Sequence, residues 1–224
     1  WARVMSQIVY YFSASVALGA PNRELNFTVP TGNFGDIFAG YVAKRMGLSI
    51  NKLVIATNQN DILHRTLQTG LYSKQGLKKT ISPSMDIQVA SNFERLIFDL
   101  YGGRIDNVQK AMNGLTKNNE FALTFNALNN LRKDFLSGTA SEETTLMTIN
   151  QTLQDYGELV CPHTAVGLVV ANDLLERNSA VPMVTLATAH PGKFPEPVKK
   201  STSLTPPLPD RYSDLFSKTE KYIS

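Results

Sequence analysis

Cysteine is almost absent: Cys161 is the single one in 224 residues. No intrachain disulfide can form, and a reducing compartment is the default for such a chain. The lone thiol reads as a buried side chain rather than a nucleophile. Histidine is scarce too. His64, His163 and His190 are the three present, and no HExxH helix or cysteine cluster accompanies them, so no metal site is expected. Neither charge sign dominates. The 22 basic and 19 acidic residues leave +3, too little to imply a nucleic-acid or anionic-membrane partner. The pairs Lys78–Lys79 and Lys199–Lys200 read as solvated surface. No apolar run approaches the ~20 residues of a membrane span. The longest, TAVGLVVA (164–171), is too short and is followed by charge. No signal or transit peptide, internal repeat or low-complexity linker is visible. The chain opens at Trp1, inside what reads as a helix, and the expectation is a fragment of something longer.

What is present is the composition of a folded protein, with 42% hydrophobic and 18% charged residues. Val4, Met5, Ile8, Val9 and Phe12 recur at helical spacing, predicting a helix from Ala2 to Ser15. LNFTVP (25–30) reads as a strand, TGNFG (31–35) as a loop and DIFAGYVAKRMG (36–47) as a helix with an acid first and bases last. LVIATN (53–58) and DILHRTLQTG (61–70) repeat the strand–helix order. That alternation predicts an α/β fold: a mostly parallel sheet flanked by helices. A helix-rich insertion is expected over about 86–156, with helices at Asp86–Tyr101, Asp106–Lys117, Phe121–Phe135 and Ser141–Tyr156. A helix over 161–177 and a strand VPMVTLAT (181–188) follow. A surface tail from Pro195 is expected to end in a short helix near Arg211–Tyr222.

The strongest local pattern is strand, then TGNFGD, then helix. Glycines let a backbone approach an anion, and a helix start presents unpaired N–H groups and the positive end of its dipole. The spacing is neither the Walker nor the dinucleotide pattern. From spacing alone, a phosphate site and a plain glycine turn stay open. LATAHPGKF (186–194) places Thr188 and His190 beyond a strand, where α/β sheets bind ligands. A backbone-bonded hydroxyl and a capping histidine are the plain alternatives. Asn58, Asn60 and Arg65 follow the second strand, Asn92 and Arg95 share one helical face, and His163 and Thr164 open a helix. Each could be a ligand contact, a cap or a salt bridge.

The blocks WARVMSQIVYYF, VPTGNFGDIFAGYVAKRMG, TNQNDILHR, SPSMDIQVASNFERLIFD, PHTAVG and TAHPGKF occur in that order. Together they resemble bacterial and fungal threonine synthases, from Trp1 to about Phe194. These are fold-type II enzymes that use pyridoxal 5'-phosphate (PLP). The resemblance implies that the chain is the carboxy-terminal part of the PLP-binding region of a cytoplasmic enzyme of threonine biosynthesis. Such an enzyme is a carbon–oxygen lyase that converts O-phospho-L-homoserine and water to L-threonine and phosphate. It further implies that Gly32, Asn33, Phe34 and Gly35 cradle the PLP phosphate and that Thr188 bonds the pyridine nitrogen. Asn58, Arg65, Asn92 and Arg95 are candidates for the substrate by their chemistry. No catalytic residue is assigned within the chain. The family's covalent lysine lies in a Phe-Lys-Asp block of the amino-terminal half, and no lysine here has that context. Lys193, in HPGKF, belongs to a different block. The implied partners are therefore the small-molecule substrate and the amino-terminal half, which would also cover open sheet edges. This chain alone is expected to be inactive.

Three alternatives stand beside this reading. A threonine-synthase-like phospholyase shares the loop but releases a ketoacid. A non-catalytic module could use the cradle for a phosphorylated ligand, without covalent capture. An inert fragment would bind nothing saturably.

Overall fold

The computed structural model describes residues 1–177 and 181–220, with the backbone only for Glu176, Arg177 and Phe216. Among these residues the order is α1 (Ala2–Ala17), β1 (Leu25–Pro30), α2 (Gly35–Arg45), β2 (Ile50–Thr57), α3 (Ile62–Thr69) and β3 (Leu71–Ser73). Then come α4 (Phe93–Leu100), α5 (Ile105–Asn118), β4 (Glu120–Ala122), α6 (Phe125–Asp134) and β5 (Phe135–Thr139). The chain closes with α7 (Glu142–Tyr156), α8 (Pro162–Arg177), β6 (Met183–Thr185) and α9 (Pro195–Thr202).

The described sheet runs β5-β2-β1-β6, with every pairing parallel. All six residues of β1 are buried, as a strand covered on both faces requires. Alternation along β2 shows how the two faces differ. Leu53 and Ile55 join a large core with Tyr11, Phe27, Ile37 and Phe135. Val54 and Ala56 face the other way, onto Val166 and Val170 of α8. Burying a side chain such as Phe27 fully is worth about 1.5–3 kcal/mol. Helix α8 lies close on its face because Gly167 carries no side chain. A Cβ there would stand 2.9 Å from Thr185 Cγ2 and 3.1 Å from Pro30 Cγ.

The predicted strand–helix alternation is present, and the fold is α/β with a parallel sheet flanked by helices. Several boundaries differ. Residues 86–92 are not helical; α4 starts at Phe93. The preceding segment is held instead by Asp86, whose Oδ1 accepts from Thr80 Oγ1 (2.6 Å), Asn58 (2.8 Å) and Asn60 (3.0 Å). The stretch read as one helix, 121–135, is β4, then α6, then the start of β5. The segment expected as a helix-rich insertion thus supplies a strand to the main sheet. Strands β3 and β4 form an antiparallel pair whose Tyr72 and Phe121 rings stack 4.9 Å apart. Strand β6 is shorter than the predicted 181–188, yet Leu186 N–H still donates to Thr28 O (3.0 Å), so the chain runs on beside β1. The expected terminal helix is replaced by two 3-10 turns, at Asp210–Tyr212 and Leu215–Ser217; its last two residues, Lys221 and Tyr222, lie outside the described residues.

Candidate functional site

A cleft of about 430 Å³ opens at the carboxyl ends of β1 and β6. Its walls come from Pro30, Gly32 and Asn33 after β1, Asp36 in the first turn of α2, and Leu186–Thr188 after β6. Ser84, Met85 and His163 back it, and Arg3, Gln7 and Tyr10 of α1 overlook it. Three other cavities of larger volume lie on the helical side, one between α2 and α4, one against α5 and β4, and one between α4 and α5. None of them meets a carboxyl end of the four-stranded parallel sheet, where ligands of open α/β sheets sit.

The loop is built in layers. Thr31 N–H donates to Ala56 O (2.8 Å), ending the β1–β2 ladder. Phe34 then adopts a left-handed conformation, φ 66°. A non-glycine residue there costs roughly 1–2 kcal/mol. Its ring offsets that cost by burial against Phe93 (5.1 Å) and Phe135 (5.9 Å). Asn33 Oδ1 accepts from Gly35 N–H (2.8 Å), and Asn33 O accepts from Asn92 N–H (3.0 Å) and Asn92 Nδ2 (3.1 Å). Gly32 is pressed on the Ser84 carbonyl: a Cβ would stand 2.6 Å from that oxygen. Among the described residues, the N–H groups of Gly32, Asn33 and Phe34 have no acceptor. They sit at the start of the eleven-residue α2, whose dipole favours an anion.

Thr188 stands across the cleft. Its N–H donates to Thr164 Oγ1 (3.2 Å), and its hydroxyl, exposed, bonds no described residue. His163, the neighbour of Thr164, is buried, and its Nε2 accepts from Ser84 N–H (3.1 Å). Helix α8 therefore holds both the backing of Gly32 and the position of Thr188. Burial, aided by the Lys193 charge, holds the His163 imidazole down at about 4, against a weaker opposing effect of Asp86; it is neutral at physiological pH. Asp36 is half-buried, and the loss of solvent pushes its carboxyl up to about 6 despite the hydroxyl that Tyr11 offers it.

The candidates named from sequence separate into three groups. Gly32, Asn33 and Thr188 line the cleft. Phe34 and Gly35 shape it, one through its buried ring and the other through its bond to Asn33. Asn92 reaches the loop from behind and is held in turn by Arg95 Nε (3.1 Å), whose guanidinium lies over the Trp1 ring (4.8 Å). Asn58 and Arg65 lie outside the cleft lining. Asn58 Nδ2 is committed to Thr80, Ser82 and Asp86, and Arg65 to Asp61 (2.8 Å) and Ser73 O (3.1 Å). His190 caps its own turn by accepting from Gly192 N–H (3.1 Å), and Cys161 is buried against Thr164. No group of three or more metal-ligating side chains occurs among the described residues. Arg3, Gln7 and Tyr10 were not singled out, although polar residues at i, i+4 and i+7 on an otherwise apolar helix are a readable stripe.

Comparison with known proteins places this geometry. Residues 164–224 match the family model "Threonine synthase, C-terminal". The threonine synthase of Pseudomonas aeruginosa is 48% identical over 222 residues, 99% of this chain and 47% of that protein. The crystal structure of a PLP-bound threonine synthase from Brucella melitensis superposes with a TM-score of 0.95 at 50% identity, over 99% of this chain and 47% of that one. Yeast threonine synthase follows at 0.87 and 35%, over 98% and 48%. The fold is that of the fold-type II PLP enzymes. Within them, the chain belongs to the threonine synthase family and aligns with the carboxy-terminal half of its members. It spans about half the length of the curated relatives it matches.

Proposed function

We propose that this chain supplies the cofactor-holding face of a PLP-dependent threonine synthase, which turns O-phospho-L-homoserine and water into L-threonine and phosphate. The observation that carries the reading is the pairing, across one cleft, of three acceptorless N–H groups at a helix start with the free hydroxyl of Thr188. A planar ring with a phosphate arm needs those two kinds of partner. The cradle suits a phosphate because its three N–H groups are unengaged and because the dipole of α2 points at it.

In this reading Gly32, Asn33 and Phe34 donate to the phosphate, and Gly35 keeps the loop in shape through Asn33. The Thr188 hydroxyl donates to the ring nitrogen. A neutral hydroxyl does not hold that nitrogen protonated as a carboxylate would. PLP, when bound, supplies the electron sink that proton removal beside an amino group requires. Arg3, Gln7 and Tyr10 overlook the same cleft and can position an anionic amino-acid substrate. The covalent lysine comes from the amino-terminal half, the chain's partner in the complete enzyme. We assign the enzyme to the cytoplasm. No described helix is long and apolar enough to cross a membrane.

The test is reversible binding of PLP against pyridoxal, which lacks the phosphate. The cradle predicts that PLP binds at least tenfold more tightly, that Gly32→Val abolishes the difference, and that borohydride traps no adduct on this chain. Equal binding of the two would remove the cradle from the account.

A further inference from the structure

Asp36 is at odds with an anion cradle. It lines the cleft beside Gly32 and Asn33, on the first turn of the helix whose N–H groups form the cradle. Among the described residues no cation lies within ion-pair distance of its carboxyl. Its partner is the fully buried Tyr11, whose hydroxyl donates to Asp36 O (2.9 Å) and only weakly to Oδ1 (3.4 Å). A half-buried carboxylate with so little compensation would face any phosphate in the cradle as a like charge, which favours protonation of one of the two.

We propose that Asp36 is a specificity-determining residue of the cradle: a dianionic phosphate-type group binds there together with one proton, which ends on the Asp36 carboxylate. The proton comes from solvent and no other bond forms or breaks. The inference rests on the cradle reading above. It makes affinity for the anion fall as pH rises, and it makes the protonated carboxyl an additional donor that a permanent carboxylate could not be.

The surroundings support the assignment. Burial already pushes the Asp36 carboxyl up to about 6, although the helix start and the Tyr11 hydroxyl both favour the charged form. A second negative charge pushes in the same direction as burial. The charged or titratable groups around the cleft are Arg3, Tyr10 and Tyr11 from α1 and His163 from α8. The strand ends at Pro30 and Leu186–Thr188 and the Ser84–Met85 turn bring none. His163, acted on by Lys193 and Asp86, is already neutral above about 4, and Arg3 contributes a fixed positive charge. Asp36 is thus the group in the lining that changes charge near neutrality.

The probe is sulfate, which remains a dianion throughout the range. Calorimetric titrations from about pH 5 to pH 8, in buffers of different ionisation enthalpy, read affinity and proton uptake together. The wild-type chain should bind sulfate about 30-fold more weakly at pH 7.5 than at pH 5, taking up close to one proton per sulfate at the higher pH. Asp36→Asn should bind with no pH dependence of this size and no uptake. Sulfate binding by both proteins with the same pH profile, or by the wild type without proton uptake, overturns the role of Asp36 and leaves the cradle standing. Failure of both to bind sulfate at any pH removes the cradle and this inference with it.

Discussion

Asn92 donates twice to a single oxygen, the carbonyl of Asn33, through its backbone N–H (3.0 Å) and its side-chain Nδ2 (3.1 Å). The first bond survives any non-proline substitution, and the second does not. Asn92→Ala should therefore loosen the loop without unfolding it. A neutral hydrogen bond contributes about 1 kcal/mol, so PLP affinity should drop roughly fivefold while the melting temperature moves by a few degrees at most. Equilibrium titration with PLP and a thermal melt check both numbers.

Gly32 tests the cradle from the other side. Its missing Cβ would meet the Ser84 carbonyl oxygen at 2.6 Å, and a backbone atom cannot swing aside as a side chain can. Gly32→Ala should cost about 1–3 kcal/mol of stability. Ser84 N–H bonds His163, so strain at Gly32 should also be felt there. The paired measurements are chemical denaturation and the NMR signal of the His163 ring.

Thr188→Val removes the hydroxyl and keeps the shape. The backbone bond from residue 188 to Thr164 remains. The side chain is exposed, so stability should change by less than about 0.5 kcal/mol. Bound PLP, by contrast, should show a shifted absorption band and weaker binding, because its ring nitrogen loses its partner. Unchanged binding and an unchanged spectrum would take Thr188 out of the site.

Acid should act on the fold through two opposed groups. His163 is held at about 4 when folded, below the ordinary 6.5, so the unfolded chain takes up a proton first. Its contribution erodes as pH falls from about 6.5 through 4, by roughly 3 kcal/mol in total. Asp36 has the reverse sign. Its folded value of about 6 exceeds the ordinary 3.8, so its contribution is complete below 3.8 and is lost as pH rises through 6. Asp36→Asn should therefore steepen the acid-induced loss of stability, and His163→Gln should flatten or invert it. Urea midpoints between pH 4.5 and 7 distinguish the two.

The sheet was largely readable because its central strands carry continuous apolar runs and its helices carry acid-first, base-last charge patterns. β5 was not. Phe135–Thr139 reads FLSGT, with two apolar residues and a glycine, directly after the last turn of α6. Its place in the sheet depends on tertiary contact: Gly138 lets α8 approach, where a Cβ would meet Val170 Cγ1 at 2.7 Å. Residues 86–92 carry helical spacing too, but Asp86 gathers four polar hydrogens from Thr80, Asn58 and Asn60, and those bonds outweigh local propensity. That the glycine loop and Thr188 would meet at one cleft was legible from a loop and a polar residue each placed after a strand. The placement of Asn58 and Arg65 was not, because position after a strand does not say which way a side chain turns. Both turn to protein partners.

The complete reaction is the most direct test of the account. The chain, combined with the amino-terminal half of the Pseudomonas aeruginosa relative and PLP, should convert O-phospho-L-homoserine to L-threonine and phosphate in equal amounts, and should lose most of that activity in Gly32→Val. Phosphate accompanied by a ketoacid in place of threonine, or no phosphate from a complex that forms and binds PLP, would contradict it.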